Sequence, residues 1–528
     1  MNQFPRATYL NYSKILSIPI LGAFLYLLQK LLYKNGKINT VYLSRKKTTS
    51  QQELLSDISR LATYAVIKTY QFSDLIKNLK GELVLDVPIR NLKEWHRDDL
   101  YALMWSLLHV SSVTERTKDS SKNFLPDNFP SKKTIVIPYN DSFEVVCDYI
   151  FQTAKVLANK GDVVYLVGFA NPVSIPKFIF KGVQKETGRR AFFEQNKIII
   201  INPLTLFPIR LQKLKILKKA NRLLILLYTA LFIKRVDADL VWCFDPDDIE
   251  LVKLLDKSVE TIYDCVDYFS TLDSKLDKEI KRKEKELIRG VDFFFVNSHA
   301  LEKTKGKIRK PDAVVPQGFD IEAFRTKTPL TAQEKKEISN LKKIFKKIPK
   351  PRVGFVGSLT YRLGFKLLSS PIRKMPKVSF VFTDAFLPIP DDDRLVGTHE
   401  LIEKIRKSPN AHFVPKTYSR TVIKEILGNF DIGIIPYDTG FDFNRYSYPM
   451  KLFEYFYMGL PVISTPIEEL KRFPKFVKLG KAPGEWEAII KNLLSKPWPR
   501  AYKQMQRKLA EKNSWENKVD TILIKLRK

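Results

Sequence analysis

Cysteine and histidine are scarce: of 528 residues only three are Cys (Cys147, Cys243 and Cys265) and five are His. No CxxC pair occurs, which excludes a disulfide framework and a cysteine–histidine metal cluster and leads us to expect a reducing compartment. The 20 Gly and 30 Pro are scattered rather than periodic, so collagen-like repeats are excluded. No apolar run reaches the roughly 20 residues of a spanning helix, which argues against a multi-span membrane protein. Acid is short relative to base, 57 Asp+Glu against 90 Lys+Arg, leaving a formal net charge of +33. At least one face should therefore attract polyanions or anionic lipid. The rest is ordinary globular material, 44% hydrophobic and 28% charged, which excludes wholesale disorder. At roughly 100–200 residues per domain, two to four domains are expected.

Residues 1–130 read as an N-terminal, α-rich extension, with helical periodicity over 53–70 and 98–110 and a short strand at 82–87. The stretch 114–133 is polar and reads as a linker. Within the extension, the segment 15–33 contains a clean apolar run over 15–28, followed by Lys34, Lys37, Arg45, Lys46 and Lys47. An apolar run beside cations fits an interfacial anchor on an anionic cytoplasmic leaflet, with a true span or a buried core helix as alternatives. It lacks a basic start and a small-residue cleavage site, so removal as a signal peptide is not expected.

From residue 134 short buried strands alternate with helices. TIVIPY (134–139), DVVYLVGF (162–169), KIIIINP (197–203), DLVWCFDP (239–246), TIYDCVD (261–267) and VDFFFVNS (291–298) read as strands. Helices are expected over 143–160 and, as a long apolar element, over 211–233. After a lysine-dense linker at 327–352, a second alternation runs through RVGFVGSL (352–359), VSFVFTDA (378–385), AHFVP (411–415), DIGIIPY (431–437) and PVISTP (461–466). The chain closes on a helical stretch over 501–528. Such alternation predicts α/β architecture with two parallel, doubly wound sheets and a ligand cleft at the strands' carboxyl ends.

The densest chemistry lies in 431–466. A strand ends at Tyr437, a polar loop follows, Pro449 suits a first helical turn and Gly459 suits helix termination. A helix N-terminus offers free N–H groups and a positive dipole end to phosphate, and Lys451 adds a full charge. Glu454, three residues on, shares that face and could accept two hydroxyls of a ribose. A solvent-facing Lys–Glu pair on an amphipathic helix is the plainer alternative.

The span YPMKLFEYFYMGLPVIST resembles the nucleotide-sugar segment of GT-B glycosyltransferases, particularly glycosyltransferase family four. VGFVGSLTYRLGFKLL (353–368) is similar to the glycine turn opening their second domain. YDCVDYF (263–269), VNSHALEK (296–303), VPQGFDIEAF (315–324) and NSWENKV (513–519) resemble first-domain motifs and the closing helix of bacterial members that build surface polysaccharides. The resemblance extends over most of 134–528. It implies a GT-B architecture of two Rossmann-like domains facing a cleft. Residues 131–326 would form the acceptor domain, 327–352 a basic linker, 353–500 the donor domain and 501–528 a crossing helix.

The resemblance further implies a donor site of Gly357, Arg362, Lys366, Phe413, Val414, Tyr448, Lys451, Leu452 and Glu454. In it Glu454 takes the ribose, Lys451 and Arg362 the diphosphate, and the main chain of 412–415 the nucleobase. Many retaining members carry a second glutamate where this chain has Tyr446, and an arginine where it has Ser358. Asp267, His299 and Tyr446 are the candidate catalytic residues, since Asp267 and His299 sit near expected strand ends. Helix capping is the alternative for His299, Asp264 and Asp267, and a solvated helix position for Lys366. The resemblance implies retaining, metal-independent hexosyl transfer with no cofactor, from a UDP- or GDP-linked sugar to a glycan or lipid-linked acceptor at the inner face of the cell membrane. A rival reading assigns Asp245-Pro246-Asp247 or the acidic 391–393 cluster to a divalent metal. Further alternatives are a catalytically inactive scaffold and a basic nucleic-acid-binding protein. No nucleic-acid-binding motif accompanies the charge, so nucleic acid is not the expected partner.

Overall fold

The computed structural model describes residues 133–139, 148–168, 173–174, 198–201, 204–205, 214–325, 330–417 and 419–526. The extension 1–130, including its segment 15–33 and its expected helices and strand, lies outside the described residues, as does Cys147.

The first alternation produces β1 (Thr134–Tyr139), β2 (Val163–Gly168), β3 (Val173–Ser174), β4 (Ile198–Ile201), β5 (Leu204–Thr205), β6 (Leu240–Cys243), β7 (Glu260–Cys265), β8 (Phe293–Val296) and β9 (Ala313–Val314). Apart from the small β3–β5 pair, these form one seven-stranded sheet in the order β4-β2-β1-β6-β7-β8-β9. The second produces β10 (Arg352–Phe355), β11 (Ser379–Thr383), β12 (Ala411–Val414), β13 (Ile432–Ile435), β14 (Val462–Ser464) and β15 (Val477–Leu479), in the order β12-β11-β10-β13-β14-β15. All five pairings of this second sheet are parallel. Its runs of Val, Ile and Phe are apolar on both faces because helices cover both sides of a parallel sheet. The strand β15 was not expected, since its three residues are too short to show a period.

The described residues fall into two compact units, one drawn from those up to 150, 157–243 and 250–261, the other from 151–156, 244–249 and 262–526. In the first, the Lys215–Arg235 helix buries Ile225, Phe232 and Ile233, with the Phe232 ring edge-on to Tyr165 at 5.0 Å. It is not apolar all round: Ile216 and Leu223 are exposed.

In the second unit, the lysine-dense stretch contains the Ala332–Lys347 helix, started by a Thr331–Glu334 capping box and burying Leu341 and Phe345. Arg352 closes it: its guanidinium donates to the carbonyls of Phe345 (2.6 Å) and Ile348 (2.7 Å). Both carbonyls lie at the helix end, where Phe345 O also accepts from Ile348 N, and Asn429 Oδ1 takes a further guanidinium donor at 3.1 Å. The closing stretch is two helices, Arg500–Lys512 and Trp515–Leu526. Trp515 packs against Gly318, and Phe319 N donates to Asn513 O at 2.7 Å.

Candidate active site

The strand order of the second sheet reverses between β10 and β13. Chains leaving neighbouring strands in opposite directions open a crevice at such a point, beyond the carboxyl ends. The loop after β10 carries Gly357 and Arg362; the loop after β13 leads through Tyr437 to the Lys451–Tyr457 helix.

These loops are tied together by main-chain bonds. Arg362 O accepts from Asp438 N and from Asn444 Nδ2, both at 2.8 Å, and Gly364 N donates to Pro436 O at 2.7 Å. Gly357 has φ +146°, a conformation side-chain-bearing residues rarely adopt. Thr383 pins it, its hydroxyl donating to Gly357 O (2.8 Å) and accepting from Gly357 N (3.0 Å). A Cβ built there would lie 3.5 Å from Lys451 Cε. The glycine turn and the lysine, 94 positions apart by their numbers in the chain, therefore meet.

Lys451 Nζ donates to Tyr437 Oη at 2.8 Å and sits over the Phe355 and Tyr437 rings, 5.1 and 5.2 Å from their centroids. The Arg362 guanidinium lies 4.2 Å from the Phe443 ring centroid. Aromatic faces hold both cations without neutralising them as carboxylates would. Glu454 is buried and ion-paired with Arg420, which opens the helix Arg420–Leu427 after β12. The free Lys–Glu helix face considered from the sequence is thus replaced by two separate attachments.

The helix ends as expected. Gly459 (φ +68°) donates to Phe456 O at 2.9 Å and Leu460 N to Tyr455 O at 3.0 Å, a Schellman pair. Its start differs: Pro449 precedes the helix, whose N-cap is Met450. Leu452 N and Phe453 N already donate to Pro449 O and Met450 O, so a tight turn consumes two N–H groups expected to face an anion.

The remaining donor-side candidates are placed as follows. Leu452 and Tyr448 are core residues, Tyr448 packing on Phe453 and Phe473. Burial raises the Tyr448 hydroxyl far above its ordinary range. Phe413 stacks on Phe382 at 5.7 Å, and Val414 O accepts from Asp384 N at 2.7 Å. Lys366 is exposed on the Phe365–Lys374 helix.

At the end of β7, Asp267 accepts from Tyr268 N at 3.0 Å. Burial raises its carboxyl above the ordinary 3.8, opposed by the positive charge of Arg362. The Tyr268 ring lies 5.0 Å from that of Tyr446 and 4.4 Å from Lys305 Nζ. Lys305 pairs in turn with buried Glu284, which also accepts from Tyr263 Oη at 3.1 Å. Asp267, Arg362 and Tyr446 are thereby linked in one neighbourhood. His299 is exposed, its Nδ1 2.9 Å from Glu302 Oε2, just after the Ser298 N-cap. Asp264 forms a buried pair with Lys518. Asp245 and Asp248 form a capping box, Asp247 pairs with Lys283, and Asp392 accepts from Arg394. Among the described residues no group of three or more His, Cys, Asp or Glu is placed to hold a metal ion.

Sequence reasoning missed Arg420, Tyr437, Thr383 and Lys305. Position alone could have flagged Arg420 and Tyr437, since each follows the carboxyl end of a strand.

No protein-family model matches the chain. Over 273 residues it is 24% identical to TuaH of Bacillus subtilis (strain 168), a candidate teichuronic acid biosynthesis glycosyltransferase. That match covers 48% of this chain and 64% of TuaH, so the chain spans less than two thirds of that relative's length. Among solved structures, Anabaena HepE in complex with UDP-glucose is similar with a TM-score of 0.55 at 13% identity, covering 75% of this chain and 99% of HepE. Sucrose-phosphate synthase from Thermosynechococcus elongatus reaches 0.56 at 14% identity, covering 75% and 98%. Likeness at these identities speaks to architecture: the chain has the α/β GT-B fold.

Proposed function

We propose that the chain is a glycosyltransferase moving a hexose from a UDP- or GDP-linked donor to a glycan or lipid-linked acceptor in cell-surface polysaccharide biosynthesis. The observation carrying this reading is the meeting of Gly357 and Lys451 at the β10–β13 reversal, beside the tethered loop of Arg362. Its support is the likeness to TuaH and to a fold whose HepE example binds UDP-glucose.

Departure of a nucleoside diphosphate concentrates charge on phosphate oxygens. Lys451 and Arg362 supply compensating charge, and the bare backbone at Gly357 admits close approach. In this reading side-chain cations take the part a metal plays elsewhere. Glu454, oriented by Arg420, takes the ribose diol, and Asp267 the hydroxyl of the transferred sugar or acceptor. Retention of anomeric configuration rests on the family-four resemblance of the Glu454 segment. Among the described residues no helix is long and apolar enough to cross a membrane. Peripheral attachment to an anionic surface rests on the apolar run 15–28 and its following cations.

A thermal-shift panel of UDP, GDP and their sugar conjugates tests the donor site, because ligands that bind only the folded state raise its melting point. Lys451→Ala and Arg362→Ala should each weaken nucleotide binding by roughly ten- to a hundredfold, as expected for a charge-assisted bond to phosphate. Affinity equal to wild type in both variants rejects the assignment. Nucleotide binding without donor hydrolysis or transfer favours the inactive scaffold, and salt-sensitive RNA binding with no nucleotide response favours the nucleic-acid reading.

A further inference from the structure

Glu284, on the helix Ser274–Gly290, and Lys305, the last residue of the helix His299–Lys305, form a buried ion pair. Glu284 is 1% and Lys305 5% exposed. The carboxylate is fully engaged: Oε2 takes the ammonium, while Oε1 accepts from Tyr263 Oη at 3.1 Å and from Cys265 Sγ at 3.6 Å. Burying two charges costs desolvation that their attraction roughly offsets, and apolar residues of similar volume often serve stability as well or better. Stability alone gives no reason for such a pair.

Its surroundings supply one. Lys305 Nζ also lies 4.4 Å from the Tyr268 ring centroid, a cation on an aromatic face. Tyr268 follows Asp267 in the loop between β7 and the Ser274–Gly290 helix, and its ring meets that of Tyr446 at 5.0 Å. Hydrogen bonds pin both ends of this loop. Asn297 Nδ2 donates to Val266 O, and Asp277 Oδ1 accepts from Ser270 Oγ (2.7 Å) and Thr271 N (3.1 Å). The middle is held differently. Asp267 Oδ1 accepts from the neighbouring Tyr268 N, and Asp267 O accepts from the Cys265 thiol at 3.4 Å, a weak donor. Neither bond fixes the direction of the Tyr268 ring; its contacts with Lys305 and Tyr446 do. The charge of Lys305 also reaches Asp267: burial raises that carboxyl, Arg362, the Tyr268 N–H and Lys305 oppose the rise, and Glu284 adds to it.

We propose that Lys305, oriented by Glu284, is a positioning residue that sets the Asp267–Tyr268 turn against Tyr446. It acts through Tyr268 rather than on a substrate. Where it concerns turnover the proposal rests on the glycosyltransferase reading above, which it deepens by naming what holds Asp267 in place.

The test is the Glu284→Gln/Lys305→Met double variant of the full chain, which leaves no charge alone and keeps an acceptor for Tyr263 Oη. Its urea midpoint should stay near wild type. The fluorine resonance of 3-fluorotyrosine at position 268, assigned by its loss in Tyr268→Phe, should shift. In hydrolysis of whichever UDP- or GDP-linked glucose the wild type accepts, kcat should fall on the order of tenfold or more. KM should stay within about twofold, because Lys451 and Arg362 still hold the diphosphate. Tyr268→Leu, which leaves the buried pair intact, should lose as much, and combining the changes should add no further loss. An unchanged fluorine resonance, an unchanged kcat or fully additive losses would each overturn the proposal. Should the double variant not fold, Tyr268→Leu decides: full activity overturns the proposal, and a lower kcat at unchanged KM supports it. A wild type that neither binds a nucleoside diphosphate nor hydrolyses either donor rejects the glycosyltransferase reading instead, and the fluorine resonance still decides the positioning role.

Discussion

Lys518 Nζ lies 2.9 Å from Asp264 Oδ1, a fully buried ion pair between residues 254 positions apart. It links the last helix to the central part of the first sheet, beside the loop that carries Asp267. Removing one partner strands the other charge away from water. Lys518→Met should therefore destabilise the protein by about 3–5 kcal/mol, read as a lower urea midpoint. Adding Asp264→Asn should recover part of the loss, because no charge is then left alone. Two singles and a double that add without coupling would show that the pair is not energetically joined.

Gly357 offers a sharper probe of the switch-point loop. Its φ of +146° strains any L side chain, and a Cβ would press on the Phe355 ring at 3.2 Å and approach Lys451 Cε. Gly357→Ala should cost about 1–3 kcal/mol of stability. It should also weaken UDP binding more than an equally destabilising substitution elsewhere, because the turn itself must shift and its bare backbone is lost to the ligand. Calorimetric affinity showing no change at 25 °C would mean the turn does not shape the donor site.

Glu469 supplies a pH prediction. It is buried, accepts from Ala300 N at 3.0 Å, and burial raises its carboxyl above the ordinary 4.5, with the Ala300 bond opposing and Glu302 adding to the rise. A folded-state value above the unfolded one means the folded protein holds the proton more tightly. Its contribution is fully present below about 4.5 and is lost as pH rises through the folded value. Melting temperature should fall over that window in the wild type and fall less in Glu469→Gln, which keeps an acceptor for Ala300 N but cannot ionise. Parallel melting curves against pH would refute this.

The plan of alternating elements was legible because burial writes itself locally. A strand covered on both faces needs a run such as IGII or FVFT, and a helix must turn at a residue like Gly459 that tolerates a positive φ. The same pattern does not fix the surroundings of individual side chains. Leu452 lies in the core because the seven-residue helix packs most of its circumference, and Tyr448, ahead of that helix, because its ring packs on Phe453 and Phe473. The helix start also differed, since local hydrogen bonding to Pro449 and Met450 depends on backbone angles that composition does not specify.

From the order of residues alone followed the strand-and-helix rhythm, the basic excess and the cluster of donor-type residues around 449–459. Only the folded chain decided that Glu454 would meet Arg420, that Lys451 would rest on Tyr437 and against Gly357, and that Asp264 would receive Lys518. Periodicity is a short-range property, fixed by which neighbours along one element must leave water. Charge pairing is set by which loops the strand order delivers to the same end of a sheet, and that is a property of the whole topology.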